Sequence, residues 1–284
     1  MGTDVVLLGY RDRNVHELVC HEVAVRAGCY QRRGIEVEAV PGAAYPEASL
    51  SAGLGGSLVE ALRGQRRWQG VLAHTVHPLF WIWARADSPA LLDIARLAGH
   101  PDGSIVWAFT EQLLRDLGVR TQDLTREHFP VGVQGDHQRL EALTSGSVDA
   151  AVIGSTFAPS ALSRLGLTQR LFFGDGIKFP TVGVAVDIDR TSLDDPIVRS
   201  VVEAQRDALT RIKAKDRIAV EAVRSLLPGS VREDAELLLR DYVSLQYGLE
   251  RQEVQDVGAD ALAWLSQTLS TTPRPVSNFY EEIA

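Results

Sequence analysis

The chain is poor in sulfur: 284 residues carry two cysteines and one methionine. Two thiols cannot build the framework of a small disulfide-stapled domain. Cys20 and Cys29, nine positions apart, also lack C-x-x-C metal spacing. They are expected as buried thiols. Long apolar runs are missing too: stretches such as Val182–Val186 fall far short of the roughly 20 residues of a membrane-spanning helix. Positive charge is scarce, 29 basic against 37 acidic residues for a net charge of −8. That balance argues against a nucleic-acid or anionic-membrane surface, where a basic footprint is expected. No low-complexity linker, no repeat of 20–50 residues and no charge block interrupts the chain. What remains is an ordinary folding composition, 45% hydrophobic and 23% charged, long enough for about two domains at about 150 residues each.

Strands alternate with helical patterns, the signature of a mostly parallel α/β sheet. Asp4–Gly9 is expected as a buried strand, followed by a polar loop and a helix with Val15, Leu18, Val19 and Val23 on one stripe. Further strands are expected at Ile35–Val40, Gln69–Ala73, Phe80–Arg85, Val131–Val133, Val148–Ile153, Gln169–Phe173 and Val182–Val186. Helices are expected after Gly55-Gly56, over Ile105–Leu117, from an Asp136 cap to Gly146, and over Phe157–Leu165. From Asp194 only helices follow, near 195–214, 217–227, 232–247 and 258–270. No basic-then-apolar leader precedes the first strand. The chain is therefore expected in the cytoplasm if Met1 is its native start, and in the periplasm or outside the cell if a leader has been removed.

Several stretches carry a resemblance. Ala27–Val37 is similar to the opening "helix, G-x-x-x-x-x-G-I/L-x-V" of type II periplasmic binding proteins, in the branch that binds alkanesulfonates, taurine and thiamine-pyrimidine precursors. Trp83–Pro89 resembles that family's "V-R-x-D-S-P" crossover, and Leu97-Ala98-Gly99 its "D-L-x-G" step. Leu140–Val152 resembles its "L-x-A-L-x-S-G-x-V-D-A-A" element. The resemblance implies an α/β, two-lobed type II periplasmic-binding-protein fold, each lobe a mostly parallel sheet flanked by helices. It implies residues 1–85 and 187–284 in a discontinuous first lobe and 86–186 in an inserted second lobe. Hinges are expected near 83–86 and 184–187.

In such lobes ligands bind outside the carboxyl ends of strands, against helix starts with unpaired N–H groups. The loops at those ends nominate the ligand-binding residues: Asp12, Arg13, Asn14 and His16; Gly55 and Gly56; His74; Asp136 and His137; Gly154, Ser155 and Thr156; and Asp175. Two function classes follow. The first is capture of a small polar or anionic organic molecule by hinge closure, with the solute as partner and a membrane permease if the chain is exported. The second is a cytoplasmic lyase, dehydratase or decarboxylase on the same scaffold, with His16, His74 and Asp12 as candidate catalytic groups. The resemblance extends to sulfinate desulfinases, but Gly53 stands where their "R-x-G-G" element has arginine, and no cysteine stands near Asn14–Val15. His16 and His21 lack the helical spacing of paired metal ligands, and His74 and His77 lie across a strand end and not on a helix, so no metal is expected. No phosphate-binding glycine motif is present either, so no cofactor is expected.

Overall fold

Alternation decides the first strand: Val6 and Leu8 are buried while Val5 faces out. In the computed structural model, which describes residues 4–11, 13–41, 47–243, 247, 251–268 and 279–280, this strand, β1 (Asp4–Gly9), pairs in parallel with β2 (Ile35–Val40) from Asp4↔Ile35 to Gly9↔Val40. The first sheet has the order β2-β1-β3-β10-β4, with β3 at Leu50–Ser51, β4 at Trp68–Thr75 and β10 at Val182–Asp187. The second has the order β7-β6-β8-β5-β9, with β5 at Trp81–Arg85, β6 at Arg96–Gly99, β7 at Thr125–His128, β8 at Ala150–Ile153 and β9 at Leu167–Phe172. Each sheet is parallel except for one strand. β10 runs against β3 and β4, and β5 runs against β8 and β9.

Those two reversed strands move the expected lobe boundaries. Trp81–Arg85 pairs wholly within the second sheet and Val182–Asp187 wholly within the first. The chain therefore changes sheets at residues 76–80 and 173–181, and the positions expected as hinges, 83–86 and 184–187, lie within or at the ends of strands. An apolar strand buried on both faces has the same pattern in either sheet, so periodicity could not assign it. The two crossings are bonded to each other: Phe173 N donates to Phe80 O at 3.0 Å and Phe179 N to Val76 O at 2.6 Å.

Helices flank both sheets. α1 (Val15–Arg26) starts where Asn14 Oδ1 accepts from Glu17 N at 2.7 Å, and α2 (Leu54–Leu62) follows β3. α3 (Ile105–Asp116) is capped by Ser104, whose Oγ accepts from Trp107 N at 3.1 Å. Leu97-Ala98-Gly99 is thus strand, and the helix after it is full length. α4 spans Gly132–Ser145, so the short strand expected at Val131–Val133 is the first turn of a helix, and Asp136 is its fifth residue and no cap. α5 (Pro159–Arg164) and α6 (Phe173–Gly176) complete the second lobe. α7 (Pro196–Ala214), α8 (Arg217–Leu226), α9 (Ala235–Leu238) and α10 (Arg251–Thr268) form the helical carboxyl half. α7 and α8 pack on α1 of the first lobe, and the segment that follows reaches the second. Trp264 of α10 stacks on Phe109 of α3 at 5.3 Å, and Asp241 accepts from Ser160 N at the start of α5.

Candidate functional site

Four helices start just after strands that point at the gap between the lobes: α1 after β1, α2 after β3, α3 after β6 and α4 after β7. Their first turns line one cavity of about 220 Å³. That is below the roughly 300–1,000 Å³ of sites for drug-sized ligands. Each helix start carries about half a positive charge. α2 and α4 have no side-chain cap, and the N–H of Gly56 has no protein partner among the described residues. The Gly55 N–H is already given to Thr181 O at 2.9 Å.

Two arginines stand at this site, and the Glu17 carboxylate lines it as well. Arg63, at the end of α2, is exposed with no charged partner among the described residues. Arg11 lies across Gly56, its Nη2 2.9 Å from Gly56 O and 2.5 Å from Glu60 Oε1. A Cβ at Gly56 would stand 2.7 Å from Arg11 Nε, so glycine here makes room for the guanidinium. Apolar wall comes from Phe80, Val59, Ile105 and Val131.

The floor holds two histidines. His16, at the start of α1, bridges the lobes: its Nδ1 is 2.5 Å from Ser155 Oγ, and its ring meets Phe80 edge-on at 5.6 Å. The Tyr247 hydroxyl donates to His16 O at 2.6 Å. His100 follows β6, is 2% exposed, and meets the same Phe80 edge-on at 5.4 Å. Burial pulls the His16 pKa down to about 4, with the Asp136 carboxylate opposing. Burial and then the nearby Arg139 charge pull His100 to about 3. Both rings are neutral at pH 7.

Asp136 builds the scaffold behind them. Its Oδ1 accepts from Arg139 Nη2 at 2.7 Å and Gly154 N at 2.9 Å, and its Oδ2 from Thr156 Oγ1 at 2.6 Å. Burial alone would raise its pKa, but Arg139 and these donors hold it below the usual carboxylate value.

The residues nominated from sequence divide into two groups. Asn14, His16, Gly55, Gly56, Asp136 and Gly154 line the cavity, and Ser155 and Thr156 stand behind His16 and Asp136. Arg13 points away, its Nη2 3.4 Å from Ser225 O beside α8. His74 lies in the core of the first lobe, its Nε2 2.8 Å from Gln205 Oε1, because the last residues of β4 are covered by α7. His137 turns its ring onto Phe157 at 4.9 Å, and Asp175 is exposed on α6; neither lines the cavity. Asp12 lies outside the described residues. The sequence reading missed Arg11, Arg63, Phe80 and His100. Only His100 carried a signal, its place directly after Leu97-Ala98-Gly99, and the Pro101-Asp102-Gly103 that follows it has the composition of a surface turn.

No family model and no curated protein matches the chain. Solved structures do. The periplasmic aliphatic sulphonate binding protein SsuA of Escherichia coli superposes with a TM-score of 0.74 at 13% identity, over 99% of this chain and 92% of that one. The alkanesulfonate-binding protein SsuA of Xanthomonas axonopodis pv. citri, bound to MOPS, gives 0.70 at 17% identity over 100% and 99%. The desulfurization enzyme DSZB gives 0.67 at 14% identity over 97% and 96%. At these identities the likeness is one of architecture, and the architecture is the two-lobed periplasmic-binding-protein fold.

Proposed function

We propose that the chain captures a small organic anion in the cleft between its lobes and closes on it by bending at residues 76–80 and 173–181. One observation carries this reading: four helix starts converge on a single small cavity whose lining holds Arg63 and Arg11, the latter paired with Glu60, beside Glu17 and an Asp136 paired with Arg139. Helix starts present unpaired N–H groups and a partial positive charge, which favour a negative group at that point. The sulfonate-binding neighbours support the same class of ligand. The partner is then the small molecule itself, and a permease where the chain is exported.

Native mass spectrometry of freshly purified protein tests it. The expected result is a co-purified small anion that rebinds in calorimetry and shrinks the radius of gyration in solution scattering. A chain that carries nothing and takes up no anion from a sulfonate, carboxylate and phosphate panel overturns the reading.

An enzyme reading rests on one feature, the neutral His16 ring in the cleft, and on the likeness to DSZB. Of the two candidate catalytic groups among the described residues, His16 lines the cavity and His74 does not. Recovery of the bound compound unchanged after incubation favours capture; a new product mass assigns catalysis.

A further inference from the structure

Three histidines are buried, and their rings differ in what they touch. His21 Nδ1 lies 3.3 Å from the Tyr30 hydroxyl, and His74 Nε2 lies 2.8 Å from Gln205 Oε1. His100 has no such neighbour: its Nδ1 is buried without a hydrogen-bond partner, and none stands at Nε2 among the described residues. The residue is nevertheless held firmly. His128 Nδ1 is 2.8 Å from the His100 backbone oxygen, and because a carbonyl only accepts, the imidazole donates that bond. Trp107 steadies His128 in turn by an edge contact at 5.9 Å, and Phe80 meets the His100 ring edge-on at 5.4 Å. Packing of that kind needs no nitrogen. An apolar side chain of like size would fill the space, whereas a buried polar group left unpaired destabilises the fold. Local rules are broken in this way chiefly at functional sites. His100 lines the cavity between the lobes, and there its hydrogen-bonding capacity can be used.

Resting on the anion-capture reading, we infer that His100 is a ligand-contacting residue, its ring held ready to hydrogen-bond an oxygen of the captured anion although its presence lowers stability. No neighbour pins its tautomer, so whichever ring nitrogen meets the ligand can carry the N–H. The contact comes from the second lobe, whereas Asn14, Gly56 and Arg63 line the cavity from the first. A ligand bonded to His100 is therefore held from both sides of the cleft. Glu17 belongs to the first-lobe side of the lining, and a ligand that also brings an N–H group to it makes the same contact with His100.

The test separates affinity from stability. Calorimetry at pH 7.5 uses three probes with one ethyl body and different heads: ethanesulfonate, propanoate and ethyl phosphate. His100→Leu is expected to weaken the probe that the wild-type chain binds tightest by about tenfold or more. Its urea midpoint at the same pH is expected to equal or exceed that of the wild type, because the unpaired polar atoms are gone. His100→Gln, which offers both an N–H and a carbonyl oxygen, is expected to recover affinity to within about threefold of the wild type. In NMR spectra of the labelled full chain, the His100 ring nitrogens are expected to shift when that probe saturates the cleft, and those of His21 to stay. His137→Gln, outside the cavity, is the control and is expected to leave affinity unchanged. Wild-type affinity in His100→Leu, His100→Gln as weak as His100→Leu, or His100 ring nitrogens indifferent to the probe overturns the inference and leaves anion capture standing. A His100→Leu midpoint clearly below the wild type does the same, since it makes the ring a structural part of the lobe. A wild-type chain that binds none of the three probes removes both.

Discussion

At the scale of single residues, the buried pair Asp136–Arg139 decides how firmly the cleft is built. Arg139 is fully buried, and besides the carboxylate it reaches Pro130 O at 2.9 Å. Asp136 meanwhile ties α4 to Gly154 and Thr156. Replacing one member strands the other's charge in the interior, a loss of about 3–5 kcal/mol. Asp136→Asn is therefore expected to lower urea stability by that order, and Asp136→Asn with Arg139→Met to recover part of it. A single variant with wild-type stability would mean that the arginine reaches water. Arg63 behaves oppositely: exposed and without an ion pair among the described residues, it does nothing for the fold. Arg63→Ala should leave the melting temperature within a degree or two and weaken anion binding about tenfold, about 1.4 kcal/mol. Unchanged affinity would move the anion away from the end of α2.

These residues also show where sequence reading stops. Asn14 and Gly154 could be nominated because they stand in loops just after expected strands, which the alternation of apolar residues locates, and Gly56 because it stands at an expected helix start. Choosing between Arg11 and Arg13 was beyond it. Two arginines two positions apart in one loop differ only in which way the backbone turns them, and one reaches over α2 while the other reaches toward α8. His74 misled for a similar reason. It ends a strand, but a helix from more than a hundred residues later supplies Gln205 and covers it.

At the scale of elements, the strands that join the lobes are those whose placement mattered most. β10 is the reversed strand of the first sheet, and its pairing with β4 shifts register between Val182 and Gly183. There the backbones come so close that a Cβ on Gly183 would lie 1.9 Å from Leu72 O. Backbone cannot step aside as a side chain can. Gly183→Ala should destabilise by about 3 kcal/mol, the upper end for overpacking, and should loosen the start of β10 beside the crossing. Hydrogen exchange reads both effects; unaltered protection at Val182–Val184 would show that the two strands can separate there at little cost. The legible part of the fold lay in this same layer. The α/β alternation and the helix-only carboxyl half follow from period and capping. Sheet membership of β5 and β10 does not, since it depends on long-range pairing that a local pattern does not encode.

For the whole molecule, the decisive quantity is the number of histidines held neutral inside it. His16 and His100 in the cleft and His21 and His74 in the first lobe have pKa values pulled to about 4, 3, 4 and 4, in each case chiefly by burial. His74 and His21 belong to one buried chain of hydrogen bonds running from His74 through Gln205 and Tyr30 to His21. In the unfolded chain each ring titrates near 6.5. Between pH 6.5 and about 4 the unfolded chain therefore binds protons that the native one refuses. Stability is fully present above that window and falls as pH drops through it. Each ring contributes about 1.4 kcal/mol per pH unit while it differs between the two states. Four rings together change stability by about 5 kcal/mol per unit near pH 5, comparable with the whole stability of a typical domain, about 5–15 kcal/mol. Urea midpoints at pH 7.5, 6 and 5 should thus fall steeply between the last two, well before carboxylates begin to protonate. Replacing His74 with Leu should shallow that slope by about one proton's worth, because one of the four acid-sensitive rings is gone. A midpoint that stays level down to pH 5 would mean that these rings accept protons in the folded state, and with that the neutral floor of the cleft would be lost.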